Sequence, residues 1–148
     1  MTVLLKRFSV AALTALTLAC GDLRPVLKVG ADQASFQRTA DPSTPTYLVA
    51  VVPFTIWNRG NATAFVPSCG ARVLPVVEQM VNGRWESYSS GGCILTTANA
   101  LLEIKAGASH RDEVAIPAAG HFRIRLPYSP DAQLRNPYDA LSAEFDVH

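Results

Sequence analysis

Short runs of alternating apolar and polar residues recur along most of this chain, separated by glycine, proline, asparagine and serine. Alternation with a period of two is typical of strands, whose successive side chains point to opposite faces. The strongest run covers residues 46–58 and is apolar on both faces. One face carries Leu48, Ala50, Val52, Phe54 and Ile56, and the other carries Tyr47, Val49, Val51 and Trp57. We predict a strand that is covered on both faces or flanks an interaction surface, with a bend or bulge at Pro53, which lacks a ladder donor.

Three shorter strands are predicted at residues 25–29, 63–67 and 110–117. Residues 94–107 fit two structures, because Thr97 is a suitable cap for a helical turn while residues 101–104 also read as a strand. The pattern by itself leaves both open.

Asn82-Gly83 is the strongest short hairpin signal in the chain. With a two-residue turn, the opposed pairs are Met80 with Trp85, Val77 with Tyr88 and Arg72 with Cys93. This register brings Cys69 close to Cys93, and neighbouring glycines allow the chain to bend.

The last two runs, residues 121–127 and 141–148, alternate most regularly. One antiparallel register sets Arg123 opposite Asp146 and Arg125 opposite Glu144. The apolar pairs are then Ile124 with Phe145 and Leu126 with Ala143. We expect the arginines to lie on a solvated face. Short strands at this close spacing predict a single antiparallel sandwich or barrel.

Residues 1–19 have the order of a secretory signal, with Lys6 and Arg7 before an uncharged apolar run that ends in Ala19. A membrane-spanning helix needs roughly 20 apolar residues, and the charged residues after Cys20 come too soon for one. The predicted segments are a signal peptide at 1–19, a short tether at 20–24 and one domain at 25–148. Ordinary signal cleavage fits, and so does lipoprotein processing, since Ala19-Cys20 is similar to a bacterial lipobox.

The chain contains three cysteines, an odd number for an exported protein. Lipid attachment at Cys20 leaves Cys69 and Cys93 as one pair, which we expect to form a disulfide in an oxidising compartment. The alternative is a cleaved, unanchored protein with a stray thiol at its new terminus.

Charge and motifs argue against several functions. The 13 Lys and Arg residues balance 12 Asp and Glu residues, and no basic stripe with interleaved aromatics indicates nucleic acid binding. The sequence has no nucleophile elbow, zinc helix, Walker loop or dinucleotide fingerprint, so we expect no catalysis, metal or other cofactor. The histidines, His110, His121 and His148, are scattered, and the adjacent Asp112 and Glu113 point to opposite faces of a strand.

The connection between the last two strands, residues 128–140, is the best candidate binding loop. It is long, is stiffened by two prolines, and offers Tyr128, Arg135 and Tyr138, residue types that are common in interfaces. The alternative is a structural crossover whose tyrosines pack against the sheet edge.

Five stretches carry a resemblance to a known family, in the order VPFTIWNRGNATAFVPSCG, VNGRWESY, IKAGASHRDEVAIP, GHFRIRLPY and SAEFDV. This order resembles the bacterial immunoglobulin-like domains of exported lipoproteins, including the BsuPI-type proteinase-inhibitor group. The matching features are an asparagine turn at 58–61, a hairpin core of Asn82, Gly83 and Trp85, and a turn at 106–109. The resemblance implies an all-β, single antiparallel immunoglobulin-like β-sandwich and a bacterial source, and it specifies a fold better than an activity.

We therefore expect a non-catalytic cell-envelope lipoprotein, exported and held to a membrane through Cys20, that acts as an interaction or structural module. Its expected partners are the membrane and another envelope protein, and its oligomeric state is open. A BsuPI-like proteinase inhibitor and an envelope hydrolase are the alternatives.

Overall fold

The computed structural model describes residues 23–90 and 100–148. Within these residues the chain is all-β, without a helix. The strands are β1 (Leu27–Ala31), β2 (Ser35–Phe36), β3 (Thr39–Asp41), β4 (Thr44–Asn58), β5 (Ala64–Cys69), β6 (Arg72–Val73), β7 (Val76–Val81), β8 (Arg84–Ser90), β9 (Ala100–Ile104), β10 (Ser109–Ile116), β11 (Gly120–Tyr128), β12 (Tyr138–Leu141) and β13 (Phe145–Val147).

The strands form three hydrogen-bonded sheets. The first has the order β1-β4-β10, with β3 also paired to β4; the second is β2-β13-β11-β7-β8, with β12 paired to β11; the third is β6-β5-β9. Every pairing in the three sheets is antiparallel except that of β13 with β2. An isolated bridge from Phe65 to Ser129 joins the third sheet to the second. Several antiparallel sheets, with no helix among residues 23–90 and 100–148, agree with the predicted β-sandwich.

One hydrophobic cluster, with members on all three sheets, forms the core. Its largest fully buried side chains are Phe54, Phe122 and Phe145, and the rings of Phe122 and Phe145 stack with centroids 6.3 Å apart. Because inward residues alternate with polar ones along β4 and β11, burying this cluster leaves the polar side chains of the same strands outside.

The predicted central strand is confirmed as β4. Ala50, Val52, Phe54 and Ile56, predicted to share one face, are fully buried, while Leu48, predicted on the same face, is 47% exposed. Cover on both faces is wrong, because Val51 on the other face is 49% exposed. A bulge at Pro53, one of the two expected irregularities, is wrong, because the register of β4 with β10 runs through Pro53 without a shift. The Pro53 carbonyl accepts from the Asp32 N–H on the β1 side, just past the end of β1. A residue's N–H and C=O point to the same side, so the missing donor of Pro53 falls beside the exposed Asp32 and not in the ladder between β4 and β10.

The Asn82-Gly83 hairpin is confirmed, with Met80 opposite Trp85. Val77 opposes Ser89 and not Tyr88, because a bulge between Val77 and Glu78 shifts the register. Arg72 lies in β6, opposite Cys69. The predicted partner of Arg72, Cys93, lies outside the described residues.

The predicted pairing of the last two runs is correct in direction and wrong in register. On β11, Phe122 opposes Phe145 and His121 opposes Asp146, two residues away from the prediction. A two-residue slip keeps the same side chains on each face, so the face pattern did not distinguish the two registers. Residues 142–144 interrupt the strand between β12 and β13, and across this irregularity the alternation of inward and outward side chains shifts by one residue. Ala140 is therefore buried, while Leu141 and Ala143, expected to face inward, are exposed.

The ambiguous segment contains a strand, β9, and its suggested cap, Thr97, lies outside the described residues. The first strand begins two residues later than predicted. The proposed signal peptide and Cys20 also lie outside the described residues. Among the residues described, no helix is long and apolar enough to cross a membrane.

Candidate functional site

The second sheet presents a set of polar and aromatic side chains on its solvent side, which we call the charged face. Its members are Glu78, Trp85, His121, Arg123, Arg125, Asp139, Glu144 and Asp146. The charged face forms because inward and outward side chains alternate strictly along β11. Phe122, Ile124 and Leu126 are fully buried, so His121, Arg123 and Arg125 point to the solvent side.

Glu78 is the centre of the charged face. One of its carboxylate oxygens accepts from the Arg123 Nε at 2.6 Å and the other from the Arg125 Nε at 2.8 Å. Burial raises the pKa of Glu78, but the hydrogen bonds and charges of the two arginines outweigh burial, so the pKa lies below its usual value. Arg125 also contacts Asp139 at 3.3 Å, and the pKa of Arg125 is raised mainly by its hydrogen bond to Glu78.

Arg123 also lies over an aromatic ring. Its guanidinium carbon is 4.4 Å from the ring centroid of Trp85, a cation–π contact. The imidazole of His121 also packs against Trp85, with the two ring centroids 5.7 Å apart. The indole of Trp85 is half-buried and is held by these two neighbours on β11.

His121 is held between two carboxylates from the last part of the chain. Its Nδ1 lies 2.8 Å from Asp146 Oδ1 and its Nε2 lies 2.7 Å from Glu144 Oε2. These two hydrogen bonds, the one with Glu144 foremost, raise the pKa of His121 above its ordinary 6.5. Both ring nitrogens donate at once only when the imidazole is charged, so the geometry favours the imidazolium.

The charged face is a preorganised set of donors, acceptors and one indole. Its charged groups contact each other across four strands, and this fixes their positions before any ligand arrives. Both ring nitrogens of His121 face carboxylates, and within the described residues no group of three or more His, Cys, Asp or Glu side chains is placed to hold a metal ion. The arrangement suits recognition of a surface.

Asn58 organises the end of the molecule where β1 starts and β4 stops. Its side chain is fully buried; Oδ1 accepts from the Val26 and Gly60 N–H groups, and Nδ2 donates to the Ala62 and Ile104 carbonyls. Its backbone also bonds to residues 107 and 108. Through its side chain and its backbone, Asn58 thereby fixes the segments 23–26, 59–63 and 105–108 together, and we call these three segments the tether end.

The predicted binding loop is adjacent to the tether end, because Ser129 bridges to Phe65 at the start of β5. Asp131 gives the loop an internal frame by accepting from the backbone N–H groups of Gln133 and Arg135. Tyr128 is only 7% exposed, so the expectation that it is displayed is wrong, and its ring packs 5.6 Å from that of Tyr138. Tyr138 and Arg135 are exposed, and binding through them stays a prediction.

An open groove of about 550 Å³ is lined by Pro53, Arg72, Arg111, Asp112 and Glu113. Asp112, predicted as an ordinary strand residue, accepts from the Val73 N–H at 2.7 Å and from the Arg72 Nε at 3.3 Å. Arg111 forms an ion pair with Asp32. The contacts of Asp112 attach β6 to β10, and the ion pair of Arg111 attaches β10 to the residue after β1, so these polar groups of the groove are used by the fold.

The structure brings together only some of the residues that the sequence singled out. Cys69 ends β5 and is half-buried, while Cys20 and Cys93 lie outside the described residues, so lipidation and the disulfide stay predictions. His110, His121 and His148 belong to separate surroundings: His110 lies 3.9 Å from Asp112, and His148 bonds through its backbone to Phe36 and Arg38. Glu78 and Trp85 were not predicted as site residues, because the alternation of β11 predicts the outward side chains of β11 itself but not which strand lies beside it.

The fold and these surfaces define an all-β protein with several antiparallel sheets, of the β-sandwich type. No protein-family model matches the chain, and no curated protein matches it. Among solved structures, Northeast Structural Genomics Consortium target SoR45 is similar over 84% of each chain, at 12% identity and a TM-score of 0.41. A b-glucosidase from Erythrobacter marinus is 12% identical with a TM-score of 0.35, over 84% of this chain and 16% of that chain. Neither similarity bears on the function of this chain.

Proposed function

We propose that this chain is a non-catalytic interaction module of the bacterial cell envelope, an immunoglobulin-like β-sandwich anchored to a membrane by lipid on Cys20. The observation that carries the interaction role is the charged face, where Trp85 and Arg123 are fixed on a sheet by Glu78 and His121. Tryptophan and arginine held rigidly on a surface are the residue types that dominate binding energy in protein interfaces.

The tether end supports the anchored arrangement. The carbonyls of Arg24 and Val26, only four and six residues after Cys20, accept hydrogen bonds from the turn at 59–61. A lipid on Cys20 would therefore hold this end of the domain at the bilayer. The charged face lies on the solvent side of the second sheet, where a partner can reach it.

The anchor is tested by intact-mass measurement of the protein purified from a bacterial membrane fraction. We expect loss of residues 1–19 and the added mass of acyl chains on Cys20. Mature protein without acyl mass, or with Met1 still attached, would contradict the anchored part of the proposal.

The interaction role is tested by cross-linking the anchored protein in its envelope and comparing variants. We expect Trp85→Ala to reduce capture of a specific cross-linked partner by tenfold or more, a loss of about 1.4 kcal/mol or greater. Tyr138→Ala is the matched control, because it removes an exposed aromatic from the predicted loop. If wild type and Trp85→Ala capture the partner equally while Tyr138→Ala loses it, the partner binds the loop and not the charged face.

A BsuPI-like proteinase inhibitor is the second candidate function, favoured by the frame that Asp131 gives the loop at 129–137. An inhibitory loop needs to be both exposed and rigid, and Arg135 at its surface is the side chain to test. Inhibition of any member of a protease panel that is lost in Arg135→Ala would support this function, and no inhibition across the panel would remove it.

A further inference from the structure

We propose that the tether end docks on an anionic phospholipid bilayer, with residues 23–26, 59–63 and 105–108 against the headgroups. This inference rests on the proposed lipid anchor and adds a second, electrostatic contact with the same membrane. It also fixes how the domain is oriented above the bilayer.

Charge is the first observation. The three segments of the tether end contain Arg24, Arg59 and Lys105 and no acidic residue; with Asp22 and Glu103, which flank them in the chain, the balance is three basic against two acidic residues. Arg59 and Lys105 are exposed. In the neighbouring loop Arg135 lies 3.7 Å from Asp131, so that loop adds no net charge. A local excess of positive charge is complementary to an anionic leaflet.

Exposed apolar side chains lie among these cations. Leu23 is 77% exposed and Val26 is 43% exposed. An open groove of about 340 Å³ lies between the segments and is lined by Arg24, Val26, Arg59, Gly60 and Asn61. Cationic and apolar groups side by side match the headgroup region, where phosphates lie directly above the glycerol and upper acyl carbons.

The surface is rigid. The Arg59 N–H donates to the Val26 carbonyl at 2.8 Å, and Asn58 holds both segments. A Cβ at Gly60 would lie 2.4 Å from the Arg24 carbonyl oxygen and 2.5 Å from the Val26 nitrogen. These are backbone atoms, so the close contact of residues 24–26 with this turn requires glycine.

The length of the tether selects a bilayer as the occupant. Cys20 precedes Leu23 by three residues, and a fully extended chain of that length spans at most about 11 Å. A layer of protein between this end and the membrane would need about 10 Å for a single helix, which leaves no slack for the lipid to insert. The anchored domain therefore meets headgroups with the tether end.

The test measures backbone hydrogen exchange of the full mature chain on vesicles of phosphatidylglycerol and phosphatidylcholine, compared with vesicles of phosphatidylcholine alone. We expect slower exchange at residues 59–63 and 105–108 only on the anionic vesicles. Arg59→Glu and Lys105→Glu should each reduce this protection about fivefold or more, since one cation near an anionic surface changes partition by about that factor. Arg84→Glu is the control, with the same charge change on the exposed β7–β8 hairpin.

Equal exchange on the two vesicle types, or equal effects of Arg59→Glu and Arg84→Glu, would overturn the docking. Intact-mass measurement of the same sample shows independently whether Cys20 carries acyl chains. Acyl mass without protection rejects the docking and keeps the proposed function, whereas protection by added anionic vesicles without acyl mass keeps the docking and rejects the anchor.

Discussion

At the residue scale, two buried or half-buried polar side chains decide much of the local structure. Asn58 makes four side-chain hydrogen bonds to backbone groups of separate segments, and Glu78 holds two arginines. Buried polar groups are costly unless they are fully paired, so each of these side chains stabilises one arrangement of its neighbours over the alternatives. Their removal should affect stability more than that of exposed polar residues nearby.

Asn58→Ala should lower the free energy of unfolding by about 3 kcal/mol, because it leaves buried donors and acceptors of several segments without partners. Urea denaturation measures the change. Asn61→Ala is the control, since Asn61 is an exposed residue of the same turn, and it should cost less than about 0.5 kcal/mol. Similar losses in both variants would show that the side chain of Asn58 does not organise the tether end.

His121 should titrate above its ordinary pKa of 6.5, because Glu144 and Asp146 accept hydrogen bonds from its charged ring. The folded state then binds the proton more tightly than the unfolded state. The resulting stabilisation is complete below pH 6.5 and is lost as pH rises through the raised pKa.

NMR titration of the His121 ring gives its pKa directly. Glu144→Gln should lower that pKa and should destabilise the protein more at pH 6 than at pH 8.5. Glu103→Gln, an exposed change away from His121, should do neither. An unchanged His121 pKa in Glu144→Gln would contradict the assignment.

At the element scale, the irregularity between β12 and β13 sets which residues of the last strand face the core. The Ser142 N–H donates to the Ile124 carbonyl, and the Ser142 hydroxyl accepts from the Ile124 N–H at 2.8 Å. A side chain therefore takes the place of a backbone acceptor where the ladder is interrupted. The charged face depends on this change of phase, because it brings Glu144 and Asp146 to His121.

Ser142→Ala should reduce the free energy of unfolding by about 1–3 kcal/mol, since the buried Ile124 N–H loses its acceptor. Thermal unfolding measures this loss. Ser35→Ala makes the same chemical change at an exposed position on β2 and should be nearly neutral. If the two variants are equally stable, Ser142 does not stabilise the irregularity between β12 and β13.

At the scale of the whole molecule, the anchor and the disulfide both depend on export. The predicted bond closes a chain segment from Cys69 to Cys93, and such a loop stabilises by roughly 3–4 kcal/mol when unstrained. Native protein from an oxidising compartment should resist alkylation at both thiols and gain two protons on reduction. Cys93→Ser should lower the melting temperature without reductant, to about the value of reduced wild type. Ready alkylation of both thiols in the native protein would contradict the bond and the exported location together.

The sequence by itself determined the secondary-structure class, the direction of the strand pairings and most of the core. Alternation along β11 placed Phe122 and Ile124 on the face opposite its arginines, and both are buried; β4 is apolar on both faces, and the sequence did not show that Val52 and Phe54 lie on the buried one. The Asn82-Gly83 turn fixed its hairpin through local backbone geometry. These features depend on residues that are close together in the chain.

Tertiary structure alone decided register and neighbours. A slip of two residues between β11 and β13 leaves every face unchanged, so from the sequence the pairing of Asp146 with Arg123 looked as good as its observed pairing with His121. Glu78 reaches Arg123 only because β7 lies beside β11, and the loop containing Tyr138 lies near the tether end only because Ser129 bridges to Phe65. Such contacts join residues far apart in sequence, and local periodicity carries no information about which strands become neighbours.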